Sequence, residues 1–308
     1  MTEPQIGGTY DDLLAAARWA EAEGMVSFAR SDHYYSSREP RPHATDAFAT
    51  LAGLARETST IRLCVLVSPI TFRHPAVIAK TAATIDQMAG GRLDLGVGTG
   101  WMELEHEAYG MDFPSQSERF ERMEEAALYL RAAFSADDAV FSGRHYRLDA
   151  QVLPRPVDTR IVIGGSGKRR TPTLAGETAD EYNLFVSPPE QITPRVRVMR
   201  EAAEQAGRDP QAVEVTVMGP TLTGRDEAEY RENLAAAAAR RDAEPADLER
   251  RWTEAGIPLG PPDRLAETLA ALESAGVQRW YLQWLELADR SKLPAAWEAV
   301  SSANRMAG

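Results

Sequence analysis

Short, continuous apolar runs alternate along this chain with longer stretches whose apolar positions recur every three or four residues. The first pattern suits strands buried on both faces, the second amphipathic helices. Thr9 to Glu23 reads as a helix: Thr9 can cap it with Asp12, Leu13, Leu14 and Ala17 form its stripe, and Gly24 ends it. Met25 to Arg30 reads as a strand, Asp46 to Glu57 as a helix and Ile61 to Val67 as a buried strand. Pro75 opens the next helix where its missing N–H costs nothing, and Gly90-Gly91 closes it. Leu93 to Val97 is then a strand and Glu118 to Phe134 a helix.

Residues 135–158 interrupt the rhythm with hairpin character around Phe141 to Tyr146 and a stiff Leu153-Pro154-Arg155-Pro156 connector. Alternation resumes with strands at Arg160 to Ile163, Glu181 to Phe185, Val213 to Met218 and Gln278 to Trp284. Helices are expected from Thr171, over Pro189 to Ala206, across Asp226 to Glu254, over Leu265 to Ser274 and over Leu293 to Ala303. Repeated β-then-α units call for a parallel α/β sheet with right-handed crossovers. The seven strands fall one short of a (β/α)₈ TIM barrel. Only Met1 to Ile6 precede the first helix, so the first strand is either very short or missing. No composition shift marks a linker, so residues 1–308 are expected to form one domain, with 135–158 as an insertion. An open doubly wound sheet is the alternative, but it would prefer a nucleotide fingerprint after its first strand, and none stands there.

Bulk composition narrows the chemistry. The net charge of −12 argues against nucleic acid or an anionic membrane as the main partner, so an anionic ligand needs a local basic pocket. No long apolar run or signal-like leader is visible, and the single cysteine, Cys64, cannot form an internal disulfide. The cytoplasm is the default address.

The residues that could carry chemistry fall after strands: Asp32-His33, Ser68-Pro69, Gly98 to Trp101, Gly164 to Gly167, Asn183 and Gln283. In a barrel those ends converge on one rim. His33 can act as acid or base near neutral pH beside Asp32, although a loop histidine bonding a neighbouring carbonyl is the plainer reading of spacing alone. His43, His74, His106 and His145 form no metal-ligand spacing, and His106 beside Glu105 reads as an exposed helical turn. Gly96-x-Gly98 reaches Trp101 where a dinucleotide loop wants glycine, so that fingerprint fails. Gly164-Gly165-Ser166-Gly167 followed by Lys168-Arg169-Arg170-Thr171 combines free backbone N–H groups with three cations, which suits a phosphate; a solvated basic turn is the plainer alternative. No Ser-His-Asp arrangement is readable.

Taken together, Arg30-Ser31-Asp32-His33-Tyr34, Ser68 to Pro75, Gly90 to Trp101, Glu105-His106-x-x-Tyr109-Gly110, Ile163 to Gly167 and Ala179 to Asn183 resemble the bacterial luciferase-like flavin and deazaflavin oxidoreductases. Within them the chain most resembles the branch dependent on the deazaflavin coenzyme F420. The resemblance implies a luciferase-like barrel with a flavin-like ring at the carboxyl ends of its strands. It implies a role in hydride transfer for His33, with Asp32 beside it. It further implies that Val65, Leu66, Val67 and Ser68 support the ring, commonly through a non-prolyl cis peptide. Gly98, Thr99, Gly100 and Trp101 would pack against ring or substrate. Gly164, Gly165, Ser166 and Gly167, with Lys168, Arg169 or Thr171, would hold the phosphate. The implied activity is hydride transfer between F420 and a small organic substrate by a homodimer. An FMN-dependent monooxygenase and a non-catalytic flavin-binding barrel are the alternatives. A sugar-phosphate dehydrogenase of the deazaflavin group carries glutamate right after its Gly-Thr-Gly, where this chain has Trp101, so neither that acid nor that substrate carries over. Relatives also begin with an extra strand, which leaves the placement of Glu3 and Gln5 open and predicts an unpaired barrel edge.

Overall fold

In the computed structural model, residues 1–36, 44–135, 139–285, 287 and 289–307 are described. Seven barrel strands pair in parallel with their sequence neighbours: β1 (Ser27–Arg30), β2 (Arg62–Pro69), β3 (Leu93–Gly98), β4 (Arg160–Gly164), β5 (Glu181–Phe185), β6 (Glu214–Pro220) and β7 (Arg279–Gln283). Closure comes from Thr2, which bridges Arg30 on one side and Trp284 on the other. Its N–H donates to the Ala29 carbonyl at 2.8 Å, and its own carbonyl accepts from Ser31 at 3.1 Å. The first barrel position is therefore filled at its upper end by a single extended residue, and the edge expected to be unpaired is bridged there. Below Thr2 a cavity of about 960 Å³ opens in the wall between β1 and β7, lined by Trp19, Phe28, Trp280 and Trp297 among others.

The helices begin and end where their caps dictate. Thr9 and Asp12 close a capping box on α1 (Tyr10–Ala22), and Asp46 accepts from Ala49 N–H to start α2 (Ala47–Glu57). Such caps contribute about 1 kcal/mol each. Pro75 opens α3 (Pro75–Ala89), and Gly90 leaves it at φ 66°, where a side chain would be strained. A short helix not expected as a buried element, α4 (Glu103–Tyr109), follows the glycine turn after β3. Then come α5 (Gln116–Phe134), the hairpin Val140–Ser142 with Arg147–Asp149, α6 (Arg170–Thr178) and α7 (Pro189–Gln205). The stretch read as one long helix is two, α8 (Glu227–Ala239) and α9 (Pro245–Glu254), because Pro245 holds Glu244 extended and can only begin a helix. Helices α10 (Pro262–Ser274) and α11 (Leu293–Ala307) flank the last strand. Among the described residues no helix is long and apolar enough to cross a membrane.

Alternation along the barrel strands divides their side chains between separate apolar clusters. Leu63, Val65, Leu93, Leu95, Val97, Ile161, Ile163, Val215 and Val217 pack in the main core cluster with residues of the surrounding helices. Ala29, Cys64, Leu66, Val162 and Tyr281 form a separate small cluster with Met1. At the amino ends of the strands, Asp94 and Glu181 are fully buried among Arg62, Arg160 and Arg279. Burial outweighs these cations at Glu181, whose carboxyl is pushed up to about 7. This charged layer sits at one end of the barrel and leaves the carboxyl ends of the strands as the mouth.

Candidate active site

The mouth is built around Val67. A Cβ on Gly98 would stand 2.7 Å from a Val67 methyl, and one on Gly164 would stand equally close at 2.7 Å. Glycine is thus required at two strand ends because a third strand's side chain occupies that space, which brings the ends of β2, β3 and β4 together. The Leu66–Val67 peptide is cis, and the pairing register of β2 with β3 shifts between Val65 and Ser68.

His33 enters from the loop after β1. Its ring meets Trp101 edge-on, with centroids 5.7 Å apart, so the imidazole and the glycine-aromatic turn share this mouth. Trp101 is 71% exposed, an unusual state for so large an apolar ring. On its Nδ1 side His33 meets Glu105 Oε1 at 2.9 Å, and Glu105 Oε2 accepts the Tyr34 N–H at 3.2 Å. Burial pulls the His33 imidazole down, but the bond to and charge of Glu105 outweigh it, and the net shift is above the ordinary 6.5.

Asp32 is closed off from solvent. It accepts from Ser68 Oγ at 2.7 Å and from Arg73 at 2.5 Å, and Arg73 also meets Asp46 at 2.5 Å and Tyr34. Burial raises the Asp32 carboxyl despite these partners. With no open face it cannot touch a substrate, and it ties the β1 loop to the end of β2. Of the expected catalytic pair, Asp32 thus has its carboxylate taken up by Ser68 and Arg73, while His33 faces the mouth. The Val65 side chain is fully buried in the main core cluster, so any support it gives at the mouth comes from its backbone. Leu66 is buried in the small cluster, Val67 is half-buried beside it, and Ser68 is committed to Asp32.

The β4 turn is arranged differently. Gly165 N–H donates to the Asn183 carbonyl at 3.0 Å, joining β4 to β5. Gly165, Ser166, Gly167, Lys168 and Arg169 are exposed, whereas Thr171 is buried beneath the glycines. Arg170 is spent on Glu124 at 3.0 Å and on the Phe120 ring. Exposed backbone at the start of α6 together with Lys168 and Arg169 fits a phosphate.

One expectation fails on α4, where His106 beside Glu105 reads from the sequence as an exposed helical turn. Both are buried, Glu105 at 1% and His106 at 0% exposure. His106 Nε2 meets Thr71 Oγ1 at 2.7 Å and its Nδ1 meets the Met102 carbonyl at 2.8 Å. Glu3 and Gln5 also face inward: Gln283 and Gln5 both donate to Glu3, at 2.7 and 2.6 Å, and Ser31 donates to Gln5 at 2.8 Å. His43 lies outside the described residues. Among the described residues no group of His, Cys, Asp and Glu could hold a metal ion.

The model of the luciferase-like monooxygenase family matches residues 1–279. The chain belongs to that family. Its luciferase-like relatives differ in activity. It is 34% identical over 227 residues to an F420-dependent glucose-6-phosphate dehydrogenase of Kineococcus radiotolerans, covering 70% of this chain and 64% of that protein. It is 31% identical to the pyrimidine monooxygenase RutA of Pseudomonas savastanoi pv. phaseolicola, covering 67% of this chain and 59% of that one. The matches thus span somewhat less than two thirds of the length of these curated relatives. An F420-dependent secondary alcohol dehydrogenase, solved in complex with an F420-acetone adduct, superposes with a TM-score of 0.78 at 20% identity over 96% of both chains. That likeness establishes the luciferase-like barrel.

Proposed function

We propose that this chain is an oxidoreductase that transfers a hydride between the deazaflavin coenzyme F420 and a small organic substrate. The observation that carries the reading is the shared mouth: His33 against Trp101, and Val67 against Gly98 and Gly164. Val67, Gly98, Thr99, Gly100 and Gly164 would lie along a ring, while Gly165, Ser166, Gly167, Lys168 and Arg169 would hold a phosphate, with Thr171 supporting the turn. Bound F420 supplies a two-electron acceptor or donor of hydride. His33 would exchange the accompanying proton with the substrate oxygen, and Trp101 would cover the substrate. The F420-dependent relatives support this reading.

The monooxygenase likeness favours FMN as a second reading. Titrating the purified protein with F420 and FMN side by side, then offering F420 with a panel of alcohols, tests the choice. F420 binding with substrate-dependent bleaching of its absorbance is expected, and binding of FMN alone overturns it. The same reading carries a homodimer acting in the cytoplasm, in keeping with a lone, buried Cys64 and the family likeness.

A further inference from the structure

Glu105 stands where a carboxyl side chain has no ordinary packing role. It is 1% exposed, it lies on a helix of only seven residues, and both its oxygens are aimed at the loop after β1. We propose that Glu105 is the positioning carboxylate of His33, fixing the imidazole so that Nε2 is the atom presented to the substrate oxygen. The inference rests on the dehydrogenase reading above only for the proton's destination.

Geometry argues for it. A carboxylate 2.9 Å from Nδ1 takes a hydrogen bond from that nitrogen, so a neutral His33 carries its proton there and leaves Nε2 with a free lone pair. Trp101 holds the ring edge-on and brings no ionisable group of its own. Glu105 is anchored in turn: Tyr34 N–H occupies its second oxygen, and the neighbouring His106 pins α4 to Thr71 and to the Met102 carbonyl. Among the described residues, the charged groups facing His33 come from three places. They are Glu105 on α4, Glu3 on the amino-terminal segment, and Asp32 on its own loop, the last largely neutralised by Arg73.

In the oxidising direction an alcohol would lose its O–H proton to Nε2 while the hydrogen on the carbinol carbon departs with two electrons to the deazaflavin. The C–O bond becomes C=O. Glu105 would hold the imidazolium through Nδ1–H. In the reducing direction the imidazolium returns the proton.

The test needs no turnover. The His33 ring nitrogens are titrated by NMR in the cofactor-free protein and in Glu105→Gln, Glu105→Asp and Glu3→Gln. A wild-type midpoint above 6.5 is expected, with at least a tenfold loss of proton affinity in Glu105→Gln, partial recovery in Glu105→Asp and a smaller change in Glu3→Gln. In the F420-loaded enzyme the acid limb of kcat/KM should move down by the same factor, with substrate KM changed less than kcat. A midpoint unmoved in a folded Glu105→Gln protein overturns the proposal. If the midpoint moves but F420 does not bind, the pairing stands and the dehydrogenase reading falls.

Discussion

The side chain of Val67 fills the place that a Cβ on Gly98 would need, at 2.7 Å, and so a strand end of one β/α unit dictates the residue type in the next. Gly98→Ala should force Val67 outward into the mouth. Overpacking of this kind costs about 1–3 kcal/mol. The expected result is a modest fall in melting temperature with a larger loss of cofactor affinity, tenfold or more by fluorescence titration. Gly90→Ala, far from the mouth but left-handed, should lower stability without touching affinity.

Lys168 and Arg169 are exposed at the start of α6. If they meet a phosphate, each removes about 1.5–3 kcal/mol of binding when changed to alanine, as hydrogen bonds to charged groups do. Calorimetry should show roughly tenfold or greater weakening for F420, shrinking as salt is raised, with the His33 titration unchanged. Equal affinity in Lys168→Ala and Arg169→Ala would place the phosphate elsewhere.

Arg73 compensates a carboxylate that cannot reach water. Arg73→Met strands Asp32 in the interior, a loss that reaches about 3–5 kcal/mol when the charge stays. Asp32 is already raised by burial, so it would instead take up a proton as pH falls. Denaturant melts should therefore show a large deficit at pH 8 that narrows toward pH 5. A deficit independent of pH would mean that Arg73 acts through packing alone.

Glu181 carries the opposite consequence at the barrel base. Its folded carboxyl is pushed up to about 7 from 4.5, so between those values the folded chain holds a proton that the unfolded chain has released. Stability contributed by that proton is complete below pH 4.5 and is lost as pH rises toward 7, at up to about 1.4 kcal/mol per pH unit. Glu181→Gln keeps an acceptor for Thr216, 2.7 Å away, and should flatten the slope of melting temperature against pH across that window.

The architecture was readable because its signals are local. Pro75 and Gly90 bracket α3, Thr9 and Asp12 cap α1, and the span expected for β5, Glu181 to Phe185, is the span it has. The loop positions of His33, Trp101 and the β4 turn followed from strand ends. What could not be read depends on partners far away in sequence. Glu105 and His106 look like a polar surface turn until Tyr34, His33 and Thr71 satisfy them from other loops. Thr2 closes the barrel as a single residue, too short for any period to show. Asp32 sits beside His33 in sequence, yet its carboxylate is taken up by Ser68 and Arg73 from a distant segment.

The most direct measurement is a crystal structure of the protein soaked with F420. The ring should lie over Val67 and the strand ends of Gly98 and Gly164, with His33 and Trp101 facing its substrate side and a phosphate on Gly165 to Arg169. A ligand found instead in the wall cavity between β1 and β7, with the mouth vacant, would contradict the assignment.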